Sequence, residues 1–281
     1  MPTPSIRNLH RWWATRPRGR LHQTRNGDIL CGDALEFMAA LRDATADVIF
    51  LDPPFNLGKS YGASARGLDR MPEQTYVEFM TRVLAEAERV LKPGGSLFLY
   101  HVPRLAIRFA NLLEQHLIFR HWIAISMKNG FVRGNHLYPA HYALLHYSKG
   151  KPNVANRPKI EPSTCPHCDE YIRDYGGYVK HIEDGVNLTD IWDDLSPVRH
   201  LKYKRRTANE LPLAIPRRAV AISGVRRGVL VDPFAGTGTA LVAARLGGMR
   251  FIACDRESEN VELMINRLAA LSHRPKLNSR L

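Results

Sequence analysis

The sequence predicts an α/β fold, a doubly wound and mostly parallel sheet with a small inserted segment. Apolar strands such as ADVIFLD (46–52) alternate along the chain with helices of apolar periodicity. A glycine-rich turn follows one of these strands directly, in VDPFAGTG (231–238). A polar stretch rich in Pro, Gly and Tyr interrupts the pattern at 151–200 and is predicted to be an insert.

Strands and helices alternate on both sides of the insert. In the first half, GDILC (27–31) predicts a strand that turns at Gly32 and Asp33 into an amphipathic helix. A second helix is predicted over 75–91 and ends at KPGG, a helix stop. The other predicted elements are strands at 46–52, 96–101, 119–128, 141–149, 228–234 and 250–255, and helices at 104–116, 213–223, 239–248 and 259–272.

The charge of the chain indicates a polyanionic partner. Its 281 residues include 40 Lys and Arg against 27 Asp and Glu, a net charge of +13, which favours nucleic acid over a merely solvated basic surface. The charge is clustered: residues 1–25 hold six arginines and no acid, and RHLKYKRR (199–206) holds five basic residues. Four cysteines, no secretory signal and no long apolar run predict a soluble intracellular protein.

The glycine-rich turn predicts a site for a nucleoside cofactor. Gly236 and Gly238 let the backbone turn tightly and approach a ligand. Asp255 ends the next strand, at a distance along the chain that suits an acid binding ribose hydroxyls. A structural turn and a dinucleotide site are the alternatives. GTG is not the full G-x-G-x-x-G pattern of a dinucleotide site, because the third glycine is missing, which disfavours NAD and FAD.

The exit of the strand at 46–52 carries an acid, two prolines and an aromatic ring. Pro53 and Pro54 fix φ and lack backbone donors, which leaves carbonyl oxygens as acceptors. With the Asp52 carboxylate and the flat ring of Phe55, they suit a planar heterocycle bearing an exocyclic amino group. Acceptors on both amino hydrogens would localise the nitrogen lone pair for attack on an electrophilic methyl carbon. An ordinary Asp-Pro turn is the alternative.

The two motifs together resemble those of the amino-group DNA methyltransferases that use S-adenosylmethionine. DPPF (52–55) resembles the catalytic D/N/S-P-P-Y/F/W motif, and DPFAGTG (232–238) resembles the cofactor motif F-x-G-x-G, in the order of the beta class. GDALEFM (32–38) resembles the segment with an acid near the cofactor adenine, and 203–223 resembles the helix that opens the cofactor pocket. The resemblance covers about residues 28–271, is weakest at 151–200, and implies a Rossmann-like methyltransferase fold.

The resemblance also implies a role for each matching residue. Asp52 and the Pro53 carbonyl would accept from the target amino group in a turn that Pro54 completes, and Phe55 would stack on a base taken out of the duplex. The implied cofactor is S-adenosyl-L-methionine. Its implied contacts are Asp33 at the adenine, Asp255 at the ribose, and Asp232, Phe234, Gly236, Thr237 and Gly238 around the loop. Asp232 holding the turn, and Thr237 and Thr239 capping the next helix, are the alternatives.

Double-stranded DNA is the implied partner. Lys59, the basic run and two tyrosines of the insert are predicted to contact it: Arg199, Lys202, Lys204, Arg205, Arg206, Tyr175 and Tyr178. Arg217 and Arg218 are further phosphate candidates. Trp12 and Trp13 either anchor the N-terminal arm to the domain or meet DNA or a second subunit. The acidic residues 190–194 are expected to lie away from DNA or to clamp the basic run.

We divide the chain where its composition and its predicted role change. A basic arm covers 1–26, and a half carrying the DPPF turn covers 27–150. The insert, expected to recognise the target sequence, covers 151–200. A cofactor-binding half covers 201–272, and a tail covers 273–281.

The predicted target base and substrate each have alternatives. The acid at the first motif position favours N6 of adenine, but Phe55 departs from the usual adenine D-P-P-Y, so N4 of cytosine is the alternative. RNA or a protein amide as acceptor, and an inert DNA-binding protein, are further alternatives. A dinucleotide-binding oxidoreductase would explain the glycines but not DPPF or the charge. A homodimer and a cognate restriction endonuclease are compatible with the resemblance, and the expected location is the prokaryotic or phage-like cytoplasm, at the nucleoid.

The motif CPHC predicts half of a zinc site. Cys165 and Cys168 have the required spacing, and His181 is a further candidate ligand. A turn whose thiols are packed or free is the alternative interpretation of the same residues.

Overall fold

The structure is a computed structural model that describes residues 11–57, 71–126, 137, 139–154, 156–162, 164–165, 167–170, 185–195 and 210–271. The helices are α1 (Ala34–Ala40), α2 (Glu73–Val90), α3 (Pro103–Leu113), α4 (Ala214–Ser223), α5 (Thr239–Leu246) and α6 (Ser258–Leu271). The strands are β1 (Arg20–Thr24), β2 (Gly27–Cys31), β3 (Ala46–Leu51), β4 (Leu91–His101), β5 (Ile118–Ser126), β6 (His141–Ser148), β7 (Lys159–Ile160), β8 (Val186–Asn187), β9 (Ile191–Trp192), β10 (Val229–Asp232) and β11 (Arg250–Asp255).

Within the described ranges, nine strands form one sheet in the order β1-β2-β11-β10-β3-β4-β6-β5-β9. The five central strands β2, β11, β10, β3 and β4 are parallel neighbours. β1, β6 and β5 pair antiparallel with their neighbours, and β9 extends β5 in parallel. The predicted α/β class and mostly parallel sheet are therefore confirmed.

The central strands are apolar because both faces of the sheet are covered. One core packs side chains of α1, α2 and α3 against the sheet, with Phe37, Met80 and Phe109 fully buried. The second core packs α4, α5 and α6 against the opposite face. Parallel strands covered on both faces by helices are the doubly wound arrangement.

The segment predicted as a basic arm contributes to the sheet. Residues 20–24 form β1, the antiparallel edge strand beside β2. Trp13 is buried, and its Nε1 donates a hydrogen bond of 2.8 Å to Asp28 Oδ2. Trp13 thus anchors the arm to the domain, which was one of its two predicted roles.

The described parts of the insert hold short strands. β7 and β8 form a separate antiparallel pair, and β9 joins the edge of the main sheet. Trp192 is fully buried there, and its Nε1 donates to the Thr189 carbonyl at 2.8 Å. Among the helices of the described ranges, none combines the length and the apolar character needed to cross a bilayer.

Candidate active site

The glycine loop connects β10 to α5 at the carboxyl edge of the parallel strands. Gly236 has φ of 52° and Gly238 of 78°, a left-handed backbone that favours glycine. A Cβ on Gly238 would lie 2.7 Å from Met264 Cγ on α6. Both glycines are therefore required by backbone conformation, and Gly238 also by the close approach of α6.

Asp255 holds this loop in place from the end of β11. Its Oδ2 accepts a hydrogen bond of 2.8 Å from the Gly236 amide. Its Oδ1 accepts from the Glu257 amide at 2.9 Å and from Asn260 Nδ2 at 3.0 Å. The carboxylate predicted to bind ribose is thus also the clamp that shapes the loop, and its ribose contact stays a prediction.

Asp33 lies at the same edge, after β2. Its Oδ1 accepts from the amides of Leu35 and Glu36 at 2.9 and 3.2 Å, so it caps α1. The Gly32 amide donates to the Asp255 carbonyl at 3.0 Å, which joins the ends of β2 and β11. The two acids predicted for opposite ends of a nucleoside therefore follow neighbouring strands, and the adenine contact of Asp33 stays a prediction.

Asp232 is the buried acid beneath the loop. It is 3% exposed, and its Oδ1 accepts from the Phe234 amide at 3.0 Å. Burial raises the pKa of Asp232 well above its ordinary value, and the nearby carboxylates of Asp52 and Asp255 raise it further. The turn-holding role of Asp232 is therefore observed.

One cavity brings the two sequence motifs together. Asp52 of the DPPF turn lines it together with Asp232, Phe234, Gly236 and Thr237 of the glycine loop. The remaining lining residues are Phe50, Leu211, Ala235, Thr239 and Ala240. A carboxylate that can accept from an amino group thus faces the same space as the predicted cofactor loop.

The two threonines of the loop bind a buried ion pair. Arg267 Nη1 donates to Thr239 Oγ1 at 2.9 Å and to the Thr237 carbonyl at 3.2 Å. Glu210 Oε1 lies 3.5 Å from Arg267 Nη1 and accepts from Thr237 Oγ1 at 3.4 Å. The N-cap of α5 is Gly238, which makes no side-chain cap bond, so the capping alternative for both threonines is wrong. Sequence reasoning also missed Glu210 and Arg267 as supports of the loop.

The DPPF turn leaves the carboxyl end of β3. Phe55 is only 7% exposed, and its ring packs 4.8 Å from the His101 ring and 5.6 Å from the Tyr142 ring, centroid to centroid. Asn56, at φ of 56°, accepts from the Met71 amide at 2.8 Å and donates to its carbonyl at 2.9 Å. The end of the turn is therefore held by the ring contacts of Phe55 and by the hydrogen bonds of Asn56. Stacking of Phe55 on a base stays a prediction.

Two tyrosines that sequence reasoning missed lie beside Asp52. Burial raises the pKa of Tyr100 and of Tyr142, and the Asp52 carboxylate adds to both shifts. Their rings are 5.0 Å apart, and Tyr142 is partly exposed. Tyr100 could have been predicted from its position near the end of β4. Because β4 is parallel to β3, the two strands end at the same edge of the sheet, next to Asp52. Tyr142 thus offers partly exposed aromatic surface, while Tyr100 is buried beside it.

Most predicted DNA contacts lie outside the described residues: Lys59, Arg199, Lys202, Lys204, Arg205, Arg206, Tyr175 and Tyr178. Arg218 is described, and its prediction as a phosphate contact is wrong. Its guanidinium donates to both carboxylate oxygens of Asp194 and lies 5.1 Å from the centre of the Trp192 ring. Its side chain is 5% exposed, so it fastens the end of the insert to α4.

The cysteine pair forms a tight turn. The Asp169 amide donates to the Cys165 carbonyl at 2.8 Å, and the Cys165 amide donates to the Glu170 carbonyl at 2.7 Å. Hydrogen bonds from the backbone amides of His167 and Cys168 lower the pKa of the Cys165 thiol. Within the described ranges, no three His, Cys, Asp or Glu side chains gather as metal ligands. His181 lies outside those ranges, and zinc binding stays a prediction.

Known proteins share this fold. The cytosine-N4-specific PvuII DNA methyltransferase aligns with a TM-score of 0.60 at 14% identity, over 96% of this chain and 92% of that one. The TTHA0409 protein of Thermus thermophilus, crystallised with S-adenosyl-L-methionine, aligns with a TM-score of 0.58 at 22% identity, over 87% and 95%. At these identities the likeness concerns the fold, which is that of the Rossmann-like methyltransferases.

Comparison by sequence finds a relative with a higher identity to this chain than these two structures have. The type II methyltransferase M.BamHI of Bacillus amyloliquefaciens is 40% identical over 244 residues, 86% of this chain but only 57% of that protein's length. The DNA adenine methyltransferase YhdJ of Escherichia coli is 25% identical over 87% of this chain and 83% of its own. The DNA methylase family of the N6/N4 type matches residues 46–266, from β3 through most of α6. The chain therefore belongs to the N6/N4 DNA methylase family.

Proposed function

We propose that the chain is an S-adenosylmethionine-dependent DNA methyltransferase that methylates an exocyclic amino group of a base. The observation that carries the proposal is the cavity shared by Asp52 and the glycine loop. Family membership supports it, and so do the names of relatives that are DNA methyltransferases.

The residues of the cavity fit S-adenosyl-L-methionine as cofactor. When bound, this cofactor supplies an electrophilic methyl group on a positively charged sulfonium. The Asp52 carboxylate faces the cavity and matches a positive charge, and Phe234 and Leu211 provide apolar surface. Two structures of the same fold, TTHA0409 and M1.HpyAVI, were crystallised with this cofactor.

Asp52 and the DPPF backbone activate the target nitrogen. The amino group of a nucleobase is a weak nucleophile because its lone pair is delocalised into the ring. The Asp52 carboxylate and the Pro53 carbonyl would each accept one amino hydrogen, which localises that lone pair on nitrogen. The rings of Phe55, Tyr100 and Tyr142 beside Asp52 would hold the base flat in the site.

Double-stranded DNA is the proposed substrate. The net charge of +13 supplies the attraction for phosphates, and the predicted contacts at Lys59, Arg199–Arg206, Tyr175 and Tyr178 would position the duplex. Extruding the target base costs a few kcal/mol, which aromatic stacking and phosphate contacts would offset. Because DNA is the proposed substrate, we propose a cytoplasmic location at the nucleoid of a prokaryotic or phage-like system. The type II names of several relatives support a role beside a restriction endonuclease.

We propose adenine N6 as the methylated atom. The acid at the first motif position and the adenine methyltransferase among the relatives support it. Phe55, in place of the tyrosine usual for adenine enzymes, favours cytosine N4 as the second candidate. Both amino groups need the same two acceptors, so the catalytic turn serves either base.

The test is the chemical identity of the product. Purified protein is incubated with methyl-labelled S-adenosylmethionine and unmethylated bacterial DNA, and the nucleosides are analysed by mass spectrometry. N6-methyladenine is the expected product. N4-methylcytosine would keep the mechanism and reverse the base. Absence of any methylated DNA nucleoside, with cofactor still bound, would contradict the proposal and direct the search to RNA or protein amides.

A further inference from the structure

We infer that Tyr76 and His101 are positioning residues that fix the catalytic turn through a directed chain of hydrogen bonds. The inference rests on the proposed function for its effect on catalysis. Tyr76 lies on α2 and His101 ends β4, so neither belongs to the sequence motif that they would hold.

The three groups of the chain are in direct contact. Tyr76 Oη donates a hydrogen bond of 2.6 Å to the carbonyl oxygen of Pro54. The same Oη lies 2.8 Å from His101 Nε2. Tyr76 is 1% exposed and His101 is fully buried, so these bonds are shielded from water.

The backbone determines the direction of the chain. The Pro54 carbonyl oxygen can only accept, so the single proton of Tyr76 Oη goes to it and Oη is left to accept from His101 Nε2. His101 Nδ1 lies 2.9 Å from the Val102 amide and 3.4 Å from the Val102 carbonyl, and the shorter contact fits an Nδ1 without a proton. Burial lowers the pKa of His101 to about 3, so the ring is neutral at physiological pH and its one proton is on Nε2. His101 Nε2 therefore donates to Tyr76 Oη, and the single tyrosine proton goes to Pro54.

This anchor acts on a part of the turn that lacks backbone amide donors. Pro53 and Pro54 have no amide protons, so carbonyl oxygens are their only backbone groups that can be held. The bond to the Pro54 carbonyl and the contact of Phe55 with the His101 ring fix both residues that follow the Pro53 carbonyl. The orientation of that carbonyl and of Asp52 toward the amino group depends on this support.

The first test replaces Tyr76 with phenylalanine. Tyr76→Phe removes one oxygen and keeps the ring that packs against Phe79 and Phe109. A misplacement of the acceptors by about 1 Å lowers the single-turnover rate of methyl transfer by about 100-fold, while cofactor affinity stays unchanged. Tyr147→Phe is the matched control, because the Tyr147 side chain is also buried and its hydroxyl bonds Glu114 and the Ala110 carbonyl instead of the turn.

The second test distinguishes the roles of the two ring nitrogens of His101. Glutamine places an amide donor near Nε2, and asparagine places an amide oxygen near Nδ1. His101→Gln is expected to retain more methyl transfer than His101→Asn, because only glutamine can still donate to Tyr76. A space-filling role would give equal losses in both variants and would overturn the inference.

A third measurement is independent of activity. Nitrogen-15 NMR of the wild-type protein is expected to show His101 protonated on Nε2, and Tyr76→Phe is expected to shift that resonance. A proton on Nδ1 would overturn the inference even in an inactive protein. If the wild type transfers no methyl group to DNA, the proposed function fails. If the wild type is active and Tyr76→Phe transfers at the wild-type rate, the inference fails alone.

Discussion

Asp255 shapes the glycine loop and is also the proposed ribose contact. Asp255→Ala removes the acceptor of the Gly236 amide and the proposed ribose contact. A hydrogen bond to a charged group contributes about 1.5–3 kcal/mol, so the dissociation constant of the cofactor product S-adenosylhomocysteine should rise by about tenfold or more in calorimetry. Glu259→Ala, an exposed acid on α6, is the control and should leave the constant unchanged.

The same titration distinguishes the ribose contact from the clamp. With a 2′,3′-dideoxy analogue, the wild type should lose affinity relative to S-adenosylhomocysteine, whereas Asp255→Ala should bind the two ligands alike. If the variant still discriminates against the analogue as strongly as the wild type, Asp255 acts only as the clamp.

Site residues were predictable where the chemistry is local. Asp52, Gly236 and Gly238 lie in short motifs whose composition alone indicates their environment. Tyr76 and His101 contact the turn across 22 and more residues, and Glu210 reaches Thr237 across 27, so these contacts depend on how separate elements pack. The double role of Asp255 was also invisible, because the sequence does not show which way its carboxylate points.

At the scale of elements, a partly buried ion pair holds the insert against α4. Asp194→Ala would leave the Arg218 guanidinium, 5% exposed, without its carboxylate. Asp194 itself is 37% exposed, so the loss should be smaller than for a fully buried pair, about 2 kcal/mol of unfolding free energy. Urea denaturation measures it, with the exposed Asp190→Ala as control. A midpoint equal to that of the wild type would contradict this account.

His146 links β4 and β6 and makes stability depend on pH. Its ring stacks on Phe98 at 4.4 Å, and burial lowers the pKa of His146 to about 3. Because the unfolded chain binds this proton near pH 6.5, its contribution to stability is complete above pH 6.5 and is lost as the pH falls toward 3. His146→Gln should reduce the slope of unfolding free energy between about pH 6 and 5 by about 1.4 kcal/mol per pH unit. Equal slopes for both proteins in urea denaturation would refute the assignment.

The regular elements followed from the sequence because their cores are apolar and periodic. The helix predicted over 75–91 is α2 (Glu73–Val90), and the strand predicted over 46–52 is β3 (Ala46–Leu51). β1 was interpreted only as part of a basic arm, because RLHQT is a polar edge strand without an apolar pattern. The two-residue strand β9 was missed because a strand of that length carries no period that a sequence can show.

At the scale of the whole molecule, the site depends on strands that are distant along the chain. β3 and β10 are parallel neighbours, with Val48 beside Leu230 and Ile49 beside Val231. This pairing brings the DPPF turn and the glycine loop to one edge of the sheet, although the insert separates them in sequence. The order of the two motifs along the chain could be predicted from the sequence. That the strands preceding them are neighbours is shown only by the topology of the sheet.

In the proposed mechanism, Asp52 acts on the amino group while the glycine loop binds the cofactor. Methyl transfer by Asp52→Ala, measured in a single turnover at saturating S-adenosylmethionine, tests it most directly. Asp52→Asn keeps one acceptor oxygen and should retain measurable transfer, which makes it the matched control. We expect Asp52→Ala to bind the cofactor like the wild type and to transfer no detectable methyl group to DNA. Transfer at the wild-type rate, or transfer lost only because cofactor binding is lost, would contradict it.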